Sequence, residues 1–108
     1  MEMIHTIGRR KASVARLYMR KGKGRIFVNG RDYTDYFPQI HVQHGLLDPF
    51  RVVELDPKLY DLKIRVDGGG FKGQAEAIRL AIARALVQLN EDYRRPLKEH
   101  KLLTRDAR

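Results

Sequence analysis

Residues 59–89 constrain the fold of this chain more than any other part of it. They open as a strand pattern. Leu62, Ile64 and Val66 face one way and Asp61, Lys63 and Arg65 the other, so this strand covers one buried side of a sheet. A glycine-rich run follows, Gly68-Gly69-Gly70-Phe71-Lys72-Gly73-Gln74. The segment then reads as a helix from about Gly73 to Leu89. Ile78, Ile82, Leu86 and Leu89 share one arc of that helix, and Leu80 and Val87 form a second apolar patch. Alanines at 75, 77, 81, 83 and 85 let it pack closely on two sides. Glycine-rich backbone at a helix start leaves N–H groups free and lets another backbone come close. The helix dipole adds roughly +0.5 of a charge there. Such an element suits phosphate, on a nucleotide or along an RNA backbone.

The rest of the chain is read around this unit. Ala12 to Met19 predicts a strand, with Ala15, Leu17 and Met19 alternating against Val14, Arg16 and Tyr18. Lys21-Gly22-Lys23-Gly24 predicts a turn into a partner strand, Arg25 to Val28, giving a hairpin whose tip carries Lys21, Lys23 and Arg25. Asn29-Gly30 is a turn signal. Asp32 to Phe37 predicts a short helix stopped before Pro38. Pro49 and Pro57 break residues 39–58 into short helical pieces. A second helix is expected from Glu91 to Lys101, followed by an extended basic end, Leu102 to Arg108.

Charge narrows the function. At 108 residues the chain is one domain with a net charge of +9. Residues 1–25 carry eight Lys/Arg against one acid, residues 26–67 five against seven, and residues 68–108 nine against five. The excess therefore sits at the two ends, as expected of a chain that meets a polyanion. There is no cysteine, hence no disulfide and no thiolate chemistry. The first residues lack a secretory pattern, and no uncharged stretch approaches the ~20 residues of a membrane span. The expectation is a soluble cytoplasmic protein with no membrane contact.

Catalytic chemistry finds no support. The glycine run is not a Walker A motif, because Gln74 and Ala75 stand where Lys and Ser/Thr would serve phosphate and magnesium. Gly68-x-Gly70-x-x-Gly73 fits the dinucleotide pattern formally, but no acid ends a strand about 20 residues on. His41 and His44 are three apart with no third ligand near, which reads as a surface pair. Ser13 reads as a polar filler on a strand. The aspartates scatter. No catalytic residue, cofactor or metal site is expected. The basic constellation is stronger. Arg9-Arg10-Lys11 lies on extended chain, where neighbours splay to both sides and can grip two phosphate rows. Tyr and Phe are not interleaved with Lys and Arg along the chain. That favours phosphate and shape contacts with folded RNA over stacking on unpaired bases.

Five ordered blocks carry a family resemblance. They are Gly8-Arg9-Arg10-Lys11-Ala12-Ser13-Val14-Ala15-Arg16; Gly24-Arg25-Ile26-Phe27-Val28-Asn29-Gly30-Arg31; Tyr36-Phe37-Pro38; Gly68-Gly69-Gly70 with Gly73-Gln74, Ala77 and Ala81 to Leu86; and Leu103-Thr104-Arg105-Asp106-Ala107-Arg108. Together they resemble the S-nine family of small-subunit ribosomal proteins over nearly the whole chain. The resemblance implies a single α+β domain, a four-stranded sheet backed by helices with a left-handed βαβ crossover. It implies a structural role in the head of the small subunit, bound to ribosomal RNA beside neighbouring head proteins. The family's basic tail, which follows T-R-D-x-R and reaches the P-site tRNA, is not present after Arg108, so no residue here inherits that contact. The expected RNA-binding residues are Arg9, Arg10, Lys11, Lys21, Lys23, Arg25, Arg79, Arg84, Arg105 and Arg108, together with Gly68, Gly69, Gly70, Gly73 and Gln74, which form the close-approach turn. Two rival classes are a small phosphotransferase, since the implied fold resembles that of a kinase superfamily with a glycine-rich loop, and a generic basic interaction module.

Overall fold

The computed structural model describes residues 2–103. One mixed sheet of five strands carries the domain, in the order β1-β2-β5-β3-β4. Its strands are β1 (Ile4–Arg10), β2 (Ser13–Lys21), β3 (Ile26–Val28), β4 (Arg31–Asp32) and β5 (Tyr60–Asp67). Between β4 and β5 lie three short helices, α1 (Tyr33–Tyr36), α2 (Ile40–Leu46) and α3 (Asp48–Val52), and a 3-10 turn, Pro57–Leu59. The long helix α4 spans Phe71–Leu89 and is followed by a 3-10 turn, Glu91–Tyr93, and α5 (Arg94–Glu99).

The expected alternation holds on β2 and β5. Ala15, Leu17, Met19, Leu62, Ile64 and Val66 are all buried on the face that α4 covers. The helix is buried on most of its circumference, because α2 and α3 pack on its far side. This is the two-sided packing that its alanines anticipate. Gly8 sets how closely α4 lies on β1: a Cβ there would stand 2.1 Å from the Ala77 carbonyl oxygen and 2.7 Å from the Ala81 nitrogen. Thr6, buried beside it, donates its Oγ1 proton to the Ala81 carbonyl at 2.8 Å.

Several expectations are corrected. The sheet has five strands rather than four, because Arg31–Asp32 adds a two-residue edge strand to β3. The Lys21–Gly24 segment does not close a hairpin. β2 pairs antiparallel with β1 on one side and β5 on the other, and β3 joins the far side of β5 in parallel. β5 is thus inserted between two strands that are consecutive in sequence. The turn between them crosses the start of β5, where Gly22 N–H donates to Leu59 and Gly24 N–H to Tyr60 at 3.0 Å each. The real hairpin is β1–β2, closed at Lys11 and Ala12, with Lys11 at φ +56°. The helix expected over residues 91–101 is a 3-10 turn and α5, which ends at Glu99.

The crossover from β3 to β5 is left-handed, as the family resemblance implies. For L-residues, a strand running upward with its side chains toward the viewer turns their N–H and C=O groups to the viewer's right. Leu62 and Ile64 point at α4, and their backbone groups bond Arg25 and Asn29 at the two ends of β3. Viewed from the helical face, β3 therefore lies to the right of β5. The connection from β3 runs through α1, α2 and α3 on that same face and returns to the left, against the usual right-handed rule.

Candidate nucleic-acid interface

Two of the expected site pieces meet in space. The glycine turn packs on the β1–β2 turn, although Gly68 and Ala12 lie far apart in sequence. Gly68 and Gly69 take φ +79° and +63°. A Cβ on Gly68 would stand 2.2 Å from the Ala12 carbonyl oxygen, and one on Gly69 2.2 Å from Ser13 Oγ. Gly70 differs: its φ is −100° and a Cβ there would meet nothing within 4 Å. The close approach expected of this run is thus made to the chain itself, by two of its glycines. The turn leads into α4 at Gly70, with no side-chain cap and no acid in the first helical turn.

Ser13 is no filler. It is fully buried, and its Oγ donates to the Gly68 carbonyl at 3.0 Å. Gln74 Nε2 donates to the same carbonyl at 3.0 Å, and its Oε1 accepts from the Tyr36 hydroxyl at 2.8 Å. Asn29, at φ +52°, extends the network. Its side chain accepts from Val66 N–H at 2.9 Å and donates to Val66 C=O at 3.1 Å, continuing the β3–β5 ladder where the backbone of β3 turns away. The amide of Gln74 is therefore committed inside the protein, at the joint between β5, α4 and α1.

The expected cations occupy different settings. Arg9 is exposed at the end of β1, on the sheet face away from α4, and Lys11 is exposed in the turn. Arg10 points to the helical side, where its Nε bonds Glu76 Oε1 at 2.9 Å with both side chains partly buried. The Arg9–Arg10 pair splays as extended chain requires, but Arg10 is not the exposed residue expected of it. Arg84 Nη1 donates to the Ile7 carbonyl at 2.9 Å, and Arg79 is half-buried near Arg10. Lys21, Lys23 and Arg25 lie at the opposite end of β5, about 23 Å from the glycine turn at ~3.3 Å per residue. Asp61 organises that end. Its carboxylate accepts from Arg25 Nη2 and from the Arg25 and Lys23 N–H groups at 2.9–3.0 Å. The Arg25 guanidinium, followed by those two N–H groups, holds its pKa well below the usual carboxylate range. Arg105 and Arg108 lie outside the described residues.

Sequence reasoning missed the surface between these ends. The sheet face opposite α4 carries Arg9 from β1, Arg16 and Arg20 from β2, and Lys63 and Arg65 from β5, all exposed. Register aligns them: Arg16 sits opposite Arg65, and Tyr18 opposite Lys63. The signal was present, since the polar sides of both expected strands are basic, but nothing in the sequence pairs β2 with β5. Among the described residues, no group of three His, Cys, Asp or Glu side chains is placed to hold a metal ion, and no helix is long and apolar enough to cross a membrane. His41 and His44 are exposed.

The protein's class is thus a one-sheet α+β domain whose outer face is exposed and cationic. The model of the family described as ribosomal protein S9/S16 matches residues 8–108. Small ribosomal subunit protein uS9 of Cytophaga hutchinsonii is 50% identical over 108 residues, covering 100% of this chain and 84% of that protein. The uS9 protein of Gemmatimonas aurantiaca is 49% identical over 107 residues, covering 99% of this chain and 82% of the relative. That of Porphyromonas gingivalis is 48% identical over 108 residues. The chain belongs to the ribosomal protein S9 family, structural proteins of the small ribosomal subunit rather than enzymes. Its setting is the ribosome in the cytoplasm.

Proposed function

We propose that this chain binds ribosomal RNA in the head of the small subunit, beside neighbouring head proteins, and supports translation near the tRNA P site. The observation that carries the RNA reading is the continuous run of exposed cations. Arg9 and Lys11 at one end of the sheet, and Lys21, Lys23 and Arg25 at the other, are bridged by Arg16, Arg20, Lys63 and Arg65 across the face between them. Cations spread over ~20 Å of rigid sheet can meet successive phosphates without ordering a loop. The Gly68–Gln74 turn supplies the support behind the Arg9–Lys11 end, and the first turn of α4 presents its free N–H groups beside it.

The test is titration of small-subunit ribosomal RNA over a salt series. For about five phosphate contacts, log K against log salt should slope at roughly −3.5 to −4.5. A slope near zero overturns the RNA reading. Placement in the head is tested separately. The chain has no cysteine, so Lys23→Cys offers a unique attachment point for an iron chelate in reconstituted subunits. Hydroxyl-radical cleavage confined to RNA outside the head would overturn that placement.

A further inference from the structure

We propose that the open sheet face is a stacking platform for an unpaired RNA base, seated on Phe27 and flanked by phosphates held by Lys63, Arg65 and Arg16. The inference rests on the RNA-binding reading above and adds what kind of RNA element the sheet takes. Phe27 points away from the core between buried Ile26 and Val28, and it is 40% exposed. It stands opposite Lys63, which stands opposite Tyr18, which stands opposite His5. One row across four adjacent strands therefore reads aromatic, aromatic, cation, aromatic. The His5 and Tyr18 rings are already stacked, with centroids 4.4 Å apart and planes 15° from parallel. The next row places Arg16 opposite Arg65. Tyr18, Phe27, Lys63 and Arg65 line a shallow groove of about 1310 Å³. The interleaving of rings and cations that is missing along the chain is present across the sheet.

Chemistry selects the occupant. The face carries Arg9, Arg16, Arg20, Lys63 and Arg65 against Asp32, Asp61 and Asp67. Asp32, opposite Phe27 on β4, is committed to Thr34, whose N–H and hydroxyl its carboxylate accepts, and Asp61 to Arg25 and the β2–β3 turn. An apolar protein partner drawn to Phe27 would strip water from these cations without pairing them. A duplex offers phosphates but hides the faces of its bases. An unpaired nucleotide offers both a flat π-surface for the ring and phosphates for its neighbours. Tyr18 and Phe27 are two strands apart, about 10 Å, and the stem of Lys63 floors the space between them.

The chain has no tryptophan, so Phe27→Trp places a single reporter on the platform. Octaadenylate and a two-stranded, fully paired RNA duplex are the probes, each titrated at about 50 mM salt, where phosphate contacts are strong. Anisotropy of labelled probe establishes saturation, and unlabelled probe is used for indole emission. Saturating octaadenylate should quench the indole of the Phe27→Trp variant, and the fully paired duplex should not. Phe27→Ala should weaken octaadenylate binding by at least about 5-fold, as loss of one stacked base does. Phe27→Tyr, which keeps the ring, should restore it. Because Phe27 lies outside the core on the outer sheet face, all three variants should remain folded under the titration conditions, as cooperative urea melts would show. RNA that saturates the Phe27→Trp variant while its indole emission stays unchanged overturns the platform but not the RNA-binding reading. Equal quenching by the duplex or by polyglutamate also overturns it. Failure of every RNA to bind overturns both.

Discussion

Ser13 Oγ donates to the carbonyl oxygen of Gly68 at 3.0 Å, and through that bond the β1–β2 turn is fastened to the turn that launches α4. Gln74 donates to the same oxygen from the helix side. A carbonyl with two lone pairs thus receives two donors, from residues that share no local segment. This joint explains why Ser, the glycine pair and Gln occur together. It also makes the three consecutive glycines unequal.

Gly68→Ala and Gly69→Ala should each destabilise the fold by about 2 kcal/mol or more. The left-handed backbone alone costs an L-residue roughly 1–2 kcal/mol, and the new Cβ collides with Ala12 or Ser13. Gly70→Ala should change stability by less than about 0.5 kcal/mol, because its backbone is extended and its surroundings are open. Urea melting of the three variants checks the order. Equal effects at all three sites would refute the joint as described.

Gln74→Leu should cost about 1–3 kcal/mol, since it leaves the Tyr36 hydroxyl without its acceptor and removes one donor from Gly68. Tyr36→Phe should cost about 0.5–1.5 kcal/mol. The double variant should lose less than the sum by about 0.5 kcal/mol or more, because one bond is removed by both. A double-mutant cycle in urea measures the difference.

Gly8→Ala should cost about 3 kcal/mol or prevent folding. The obstruction is the backbone of α4 at Ala77 and Ala81, which can yield only if the whole helix lifts from β1. Far-UV circular dichroism with urea melting tests this. An unchanged midpoint would mean that α4 does not sit so close to the sheet.

Asp61 gives the fold a defined acid response. Its folded pKa is held below the unfolded value of about 3.9, so its stabilisation is complete above that value and is lost as pH falls through the folded pKa. Asp61→Asn should therefore be less stable than the parent chain at neutral pH. The gap should narrow progressively below about pH 4. Melting of both proteins across this range decides it, and a gap that widens on acidification contradicts the assignment.

Arg9 and Arg10 should separate positioning from folding. Arg9→Ala should leave stability within about 0.5 kcal/mol and reduce the RNA salt slope by roughly 1. Arg10→Ala should cost up to about 1 kcal/mol of stability, the range for a partly exposed ion pair, because Glu76 loses its partner. Paired urea and RNA titrations distinguish the two roles.

Local pattern by itself determined much of this protein. The alternation of Leu62, Ile64 and Val66 defined β5 and its buried side, and helical periodicity placed α4 to within two residues of its start. The short helices before β5 were legible from Asp32, Pro38, Pro49 and Pro57, whose backbone and capping preferences act within a few residues. What only the tertiary structure decided is non-local. Strand β1 shows no clean alternation, because Thr6 and Gly8 fill buried positions where α4 leaves no room for a large side chain. The insertion of β5 between β2 and β3, and the left-handed path into it, depend on which sheet edge collects the next strand. Chain-local preferences do not encode that choice. The cationic face follows from the same insertion. Arg16, Phe27, Lys63 and Arg65 each read as isolated surface residues until hydrogen-bonded register sets strands remote in sequence about 4.8 Å apart and turns alternate side chains to one side.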